Sequence, residues 1–106
     1  MARALISVPA TAKRGEVIVL KTLISHKMET GFRYTTVGEP IPRDIITNFA
    51  ATYNGVEIFS AQLYPAIAAN PFFTFHTVAT ESGTIAFTWT GDNGFSVTEQ
   101  VQITVS

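Results

Sequence analysis

Hydrophobic and polar residues alternate along most of the chain. In FSVTEQVQITV, Phe95, Val97, Val101, Ile103 and Val105 fall on one face, and Ser96, Thr98, Gln100, Gln102 and Thr104 on the other, interrupted only by Glu99. A period of two marks a strand with one buried face. TIAFTWT repeats it, with Ile85, Phe87 and Trp89 set against Thr84, Ala86, Thr88 and Thr90. The intervening GDNG predicts a hairpin, because Asn-Gly accepts the positive φ of a tight turn. NFAATYNGVEIFSAQL predicts a second hairpin around Asn54-Gly55. RALISV, EVIVLKTLISH and PFFTFHTVA, the last closed by the turn ESG, bring the count to about seven strands, with no sustained helical period. This density of strands and turns predicts one all-β domain over residues 1–106, an immunoglobulin-like antiparallel β-sandwich.

The chain has no cysteine. The sheets must therefore be held by packing around Trp89, Phe87, Phe49 and the apolar face of Val17 to Ile24. Two connections depart from the plain sandwich. Lys27 to Pro42 is longer than most loops in compact domains, so it is either functional or poorly ordered. Tyr64 to Phe73 contains two prolines yet stays apolar, so it either folds back over an open end of the sandwich or faces a partner.

Composition narrows the possible functions. Net charge is −1 and the seven Lys and Arg are scattered, which gives no electrostatic footprint for nucleic acid. Charged residues make up 14% of the chain, against about 25% in ordinary soluble domains. Either another protein covers some of the surface, or Thr, Ser and Asn take the place of charge on the outside. Without a thiol the chain has no cysteine nucleophile, no thiolate metal site and no covalent thiol carrier. Its N-terminus does not read as a secretory signal, and no apolar segment reaches membrane-spanning length.

The densest chemistry lies in SHKMETGFR. His26, Met28 and Glu29 offer an imidazole, a thioether and a carboxylate, and His76 on another strand could approach, so a copper site using His26 and Met28 is one reading. In the other, His26 bonds nearby backbone, Met28 plugs an irregular gap, and Gly31 supplies positive φ in a turn. No serine sits in a nucleophile elbow and no glycine-rich loop precedes a helix, so neither hydrolysis nor phosphate binding is expected.

GEVIVLKTLISHKMETGFR, the Asn-Gly hairpin, ANPFF and FTWTGDNG, in that order, resemble the SoxZ family of sulfur-oxidation proteins over nearly the whole chain. Lys27 departs from the proline usual between the histidine and methionine of that family. The resemblance implies a non-catalytic subunit without a cofactor, paired with a SoxY-type carrier in thiosulfate oxidation. It also implies transient contacts with Sox enzymes: a haem cytochrome, a sulfate-releasing hydrolase and a sulfane dehydrogenase. The expected location is the periplasm, reached by co-export on the partner's signal peptide. Partner contacts are expected from His26, Met28, Glu29, Phe32, Arg33, Asn70, Pro71, Phe72 and Phe73, with no nucleic acid or membrane partner.

Overall fold

The structure, a computed structural model, describes residues 4–65, 67 and 69–106. Arg3, at the head of the predicted first strand, and Ala66 and Ala68 in the Tyr64 to Phe73 connection lie outside the described residues. The described strands are β1 (Ala4–Ser7), β2 (Thr11–Ala12), β3 (Val17–Ile24), β4 (Ile46–Tyr53), β5 (Val56–Gln62), β6 (Phe72–Val78), β7 (Gly83–Gly91) and β8 (Ser96–Val105). They form a three-stranded sheet in the order β1-β3-β6 and a five-stranded sheet in the order β2-β8-β7-β4-β5.

All seven predicted runs become strands, and the fold is the predicted immunoglobulin-like sandwich. The eighth strand, β2, pairs parallel with β8, the one departure from antiparallel pairing among the described residues. Two residues are too few to show a period. Both Asn-Gly turns close as expected: φ is 50° and 83° at Asn54 and Gly55, and 60° and 74° at Asn93 and Gly94. Positive φ at both central residues matches the turn to the right-handed twist of the flanking strands.

Ile18, Leu20, Thr22 and Ile24 face inward from β3, while Phe49, Phe87 and Trp89 face them from the other sheet, all essentially inaccessible to water. Phe49 lies between the layers. Its ring stacks on Phe73 of β6 at 4.8 Å and meets Trp89 at 5.2 Å. Burying each large apolar side chain contributes about 2–3 kcal/mol, which is what replaces a disulfide here. Among the described residues, Thr22 Oγ1 and Trp89 Nε1 are buried without a hydrogen-bond partner.

The molecule is elongated. Its radius of gyration is 16.3 Å and its long axis 60 Å, whereas a compact chain of this size has a radius near 13 Å. The longest strand, β8, has ten residues and spans roughly 33 Å. Residues 32–40, all exposed, form a projection between β3 and β4.

Candidate partner interface

The projection is a small hairpin, called the finger here. Its base is an antiparallel bridge: Glu29 N–H donates to the Asp44 carbonyl at 2.8 Å, and Asp44 N–H returns the bond at 2.9 Å. Further out, Tyr34 bridges Pro40, Ile41 N–H donates to the Arg33 carbonyl at 2.9 Å, and Thr35 N–H donates to the Glu39 carbonyl at 2.7 Å. The tip turns at Gly38, with φ 83°. The connection expected to be either functional or poorly ordered is therefore a paired element.

Ion pairs fix the base. Glu29, only 8% exposed, receives both the Nε and a terminal nitrogen of Arg33. That bonding holds the Glu29 carboxyl below its ordinary pKa and raises the Arg33 guanidinium. Arg43 grips Asp92 in the β7–β8 turn with bonds of 2.8 and 2.9 Å, which likewise lowers the Asp92 carboxyl. Ile45 N–H also reaches Asp92 Oδ2, at 3.2 Å. Bidentate Arg–carboxylate pairs fix orientation as well as distance, so Arg43–Asp92 ties one leg of the finger to the sandwich, while Glu29–Arg33 stiffens the other leg within itself. Gly31 meets a second demand: its φ is 86°, and a Cβ there would lie 3.0 Å from Arg43 Cβ.

Among the exposed residues of the finger, three carry large apolar side chains. Phe32 is 77% exposed, Tyr34 67% and Val37 79%. Three such side chains on a fixed base form a patch of the kind that marks interaction sites.

Next to the base, the structure joins the two predicted segments. His26 N–H donates to Asn70 Oδ1 at 2.9 Å, and Asn70 N–H donates to the His26 carbonyl at 2.8 Å. With Ser25, Lys27, Asp44, Ala69 and Phe95 they line a cavity of about 530 Å³. The His26 ring stands edge-on to Phe95 at 4.8 Å. Its Nδ1 accepts the Met28 N–H at 2.9 Å, and its Nε2 lies 3.9 Å from Asp44 Oδ1. Burial pushes its pKa below the ordinary 6.5, partly offset by Asp44.

The expected contact residues divide accordingly. Phe32 is free, and His26, Arg33 and Asn70 lie around the base of the finger. Phe72 is exposed on the outer face of the three-stranded sheet, opposite Leu23. Met28 and Pro71 are buried in this chain, and Phe73 is half-buried, its ring stacked on Phe49. Glu29 is spent on Arg33. Tyr34, Val37, Arg43, Asp44 and Asp92 were not anticipated. The aromatic and Val37 within an otherwise polar loop were the available signal for the first two.

The copper reading finds the Met28 sulfur and one of the two His26 ring nitrogens already engaged. Met28 takes a left-handed backbone, φ 51°, and turns its sulfur inward, where it accepts the Ile46 N–H at 3.3 Å. His26 Nδ1 is used as well. His76 pairs with Val19 and is exposed on the outer face; Val19 is seven residues up the chain from His26, roughly 20 Å along a strand. Among the described residues, no three acidic or histidine side chains gather as a metal would require. Lys27 is exposed and reaches Asp44 Oδ2 at 3.5 Å. The hydrogen bonds of its neighbours, His26 and Met28, shape the loop on either side of it.

Comparison with solved structures shows the fold. A superoxide reductase (neelaredoxin) from Ignicoccus hospitalis matches with a TM-score of 0.75 and 15% identity, over 97% of this chain and 80% of that one. The sulfur carrier protein SoxY from Chlorobium limicola f thiosulfatophilum matches with a TM-score of 0.68 and 11% identity, over 97% of this chain and 78% of that one. No curated protein sequence matches. The family profile described as "Sulphur oxidation protein SoxZ" matches residues 6–102, nearly the whole chain, with His26, the finger, Asn70 and the β7–β8 turn all inside the match. The chain belongs to the SoxZ family of sulfur-oxidation proteins.

Proposed function

We propose that this chain is the non-catalytic scaffold and docking subunit of a heterodimeric sulfur carrier in thiosulfate oxidation. Its partner is a SoxY-type subunit that holds the sulfur intermediate on a cysteine of its own. The chain contains no cysteine, so a covalent sulfur intermediate has no thiol to occupy here. The observation that carries the reading is the finger, whose Phe32, Tyr34 and Val37 are exposed while Glu29–Arg33 and Arg43–Asp92 fix its base. A fixed aromatic patch keeps the entropic cost of docking low and supplies the side-chain types that dominate interface energetics. A stable heterodimer buries on the order of 1,600 Å² in total, about 800 Å² on each partner, and the adjoining end of the sandwich around His26 and Asn70 extends the surface the finger offers.

The complex works in the periplasm, is exported with the partner, and meets the haem cytochrome, the sulfate-releasing hydrolase and the sulfane dehydrogenase in turn. Co-expression with the SoxY-type subunit of the same organism tests the reading. A one-to-one complex is expected to survive gel filtration, and thiosulfate turnover to require both chains with the cytochrome and hydrolase. Independent elution of the two chains, or turnover by this chain alone, contradicts it.

A further inference from the structure

Along the flank between β6 and β5 both sheets end, and no strand joins them among the described residues. Ile24 N–H donates to the Pro71 carbonyl at 3.2 Å just before β6, and Ala79 N–H to the Glu16 carbonyl at 2.8 Å just after it. Hydrogen-bonded residues alternate along an antiparallel ladder. The register Thr22–Phe73, Leu20–Phe75, Ile18–Thr77 therefore turns the backbone groups of Phe73, Phe75 and Thr77 toward β3. Those of Phe72, Thr74, His76 and Val78 point the other way, where no strand pairs with β6 among the described residues. Exposed edges are ordinarily blunted by charge, proline or brevity. The seven residues of β6, FFTFHTV, contain no Lys, Arg, Asp, Glu or Pro.

The inner side of this flank is open as well. Phe59 of β5 stacks on Phe75 at 4.5 Å and touches Phe73 at 6.0 Å. Phe59, Ala61 and Phe73 nevertheless remain only half-buried, because the three-stranded sheet ends at β6. Further along, Val56 and Ile58 of β5 and Thr77 and Val78 of β6 line a cavity of about 490 Å³.

We propose that this edge receives an extended segment of the partner polypeptide, which pairs with the outward backbone groups of Phe72, Thr74, His76 and Val78 and lays alternate apolar side chains over Phe59 and into the cavity. The inference rests on the docking role proposed above. A row of alternating N–H and C=O groups is complementary to an extended backbone, and the period of two in a strand places every second side chain against the half-buried aromatics. A second copy fits less well. Its β6 has Phe73 and Phe75 committed to its own core and brings no free side chain to cover Phe59. The occupant is an arm or loop of the partner and not a strand of a finished sandwich.

Residue-resolved amide exchange on the complex with the SoxY-type subunit tests this. The amides of Phe72, Thr74, His76 and Val78 are expected to exchange freely in the isolated chain and at least about tenfold more slowly in the complex. Thr74→Pro, which removes one outward donor without touching the ladder to β3, is expected to weaken binding about fivefold, the effect of one net hydrogen bond. Thr74→Ala, which keeps the N–H, is expected to leave affinity unchanged. A complex in which these amides still exchange freely overturns the inference and leaves the docking role standing. Absence of any complex overturns both. Protection that grows with concentration in the isolated chain assigns the edge to a second copy and also overturns it.

Discussion

Asn70 closes on His26 from 44 residues away, its side chain accepting the His26 N–H and its own N–H donating to the His26 carbonyl. Asn70 holds φ at 54°, a left-handed conformation that Asn tolerates better than most residues. One residue thus turns the chain into β6 and ties that turn to the root of the finger. Asn70→Ala loses the side-chain acceptor and the tolerance of the left-handed turn while keeping the backbone N–H, and is expected to cost about 1–2 kcal/mol in denaturant unfolding. Asn70→Gly keeps the backbone freedom and loses only the acceptor, so it is expected to cost less than the alanine variant. Equal losses would mean that the left-handed turn contributes nothing.

His26 links this region to pH. Its folded pKa is lowered by burial below the ordinary 6.5, with Asp44 and Asp92 opposing the shift and Lys27 adding to it. A lowered pKa means that folding favours the neutral ring, so its contribution is complete above about pH 6.5 and is lost as pH falls through that value toward the folded pKa. Protonation also puts a hydrogen on Nδ1, where the Met28 N–H already donates. Unfolding midpoints measured from about pH 7.5 down to pH 5 are expected to decline, and His26→Gln to flatten that decline. Glu29 and Asp92, held below 4.5 and 3.8 by Arg33 and Arg43, lose their share only in more acidic solution. An identical slope in the His26→Gln variant would place the pH dependence elsewhere.

Thr22 is 1% exposed, and its hydroxyl has no partner among the described residues. Replacing it with valine keeps the β-branched shape and removes an unpaired polar atom from the core. Thr22→Val is expected to raise stability by about 1 kcal/mol. A loss of stability on calorimetric unfolding would show that the hydroxyl is satisfied in solution.

Much of this architecture was legible in the alternation of residues. The inward faces of β7 and β8 and both Asn-Gly turns follow from local rules that need no knowledge of neighbours. The adjacent phenylalanines of β6 do not: both are apolar, and only the register against Leu23 and Thr22 decides that Phe72 faces out and Phe73 in. The reading of Met28 as a plug in an irregular gap matches its burial, but nothing in its neighbourhood announces the left-handed turn that carries its sulfur inward. The finger has no period to read. Its shape comes from the Glu29–Asp44 bridge and from Arg43 reaching Asp92, a contact across 49 residues.

The finger is the centre of the functional account, and affinity for the SoxY-type subunit tests it most directly. Phe32→Ser with Tyr34→Ser removes exposed aromatic surface and no core packing, so the thermal midpoint is expected to stay within about 1 °C of wild type, as for surface substitutions. Titration calorimetry with the partner is expected to show Kd rising at least about tenfold, as loss of aromatic anchors does at interfaces. An unchanged Kd at an unchanged thermal midpoint would contradict the claim that the partner docks on the finger.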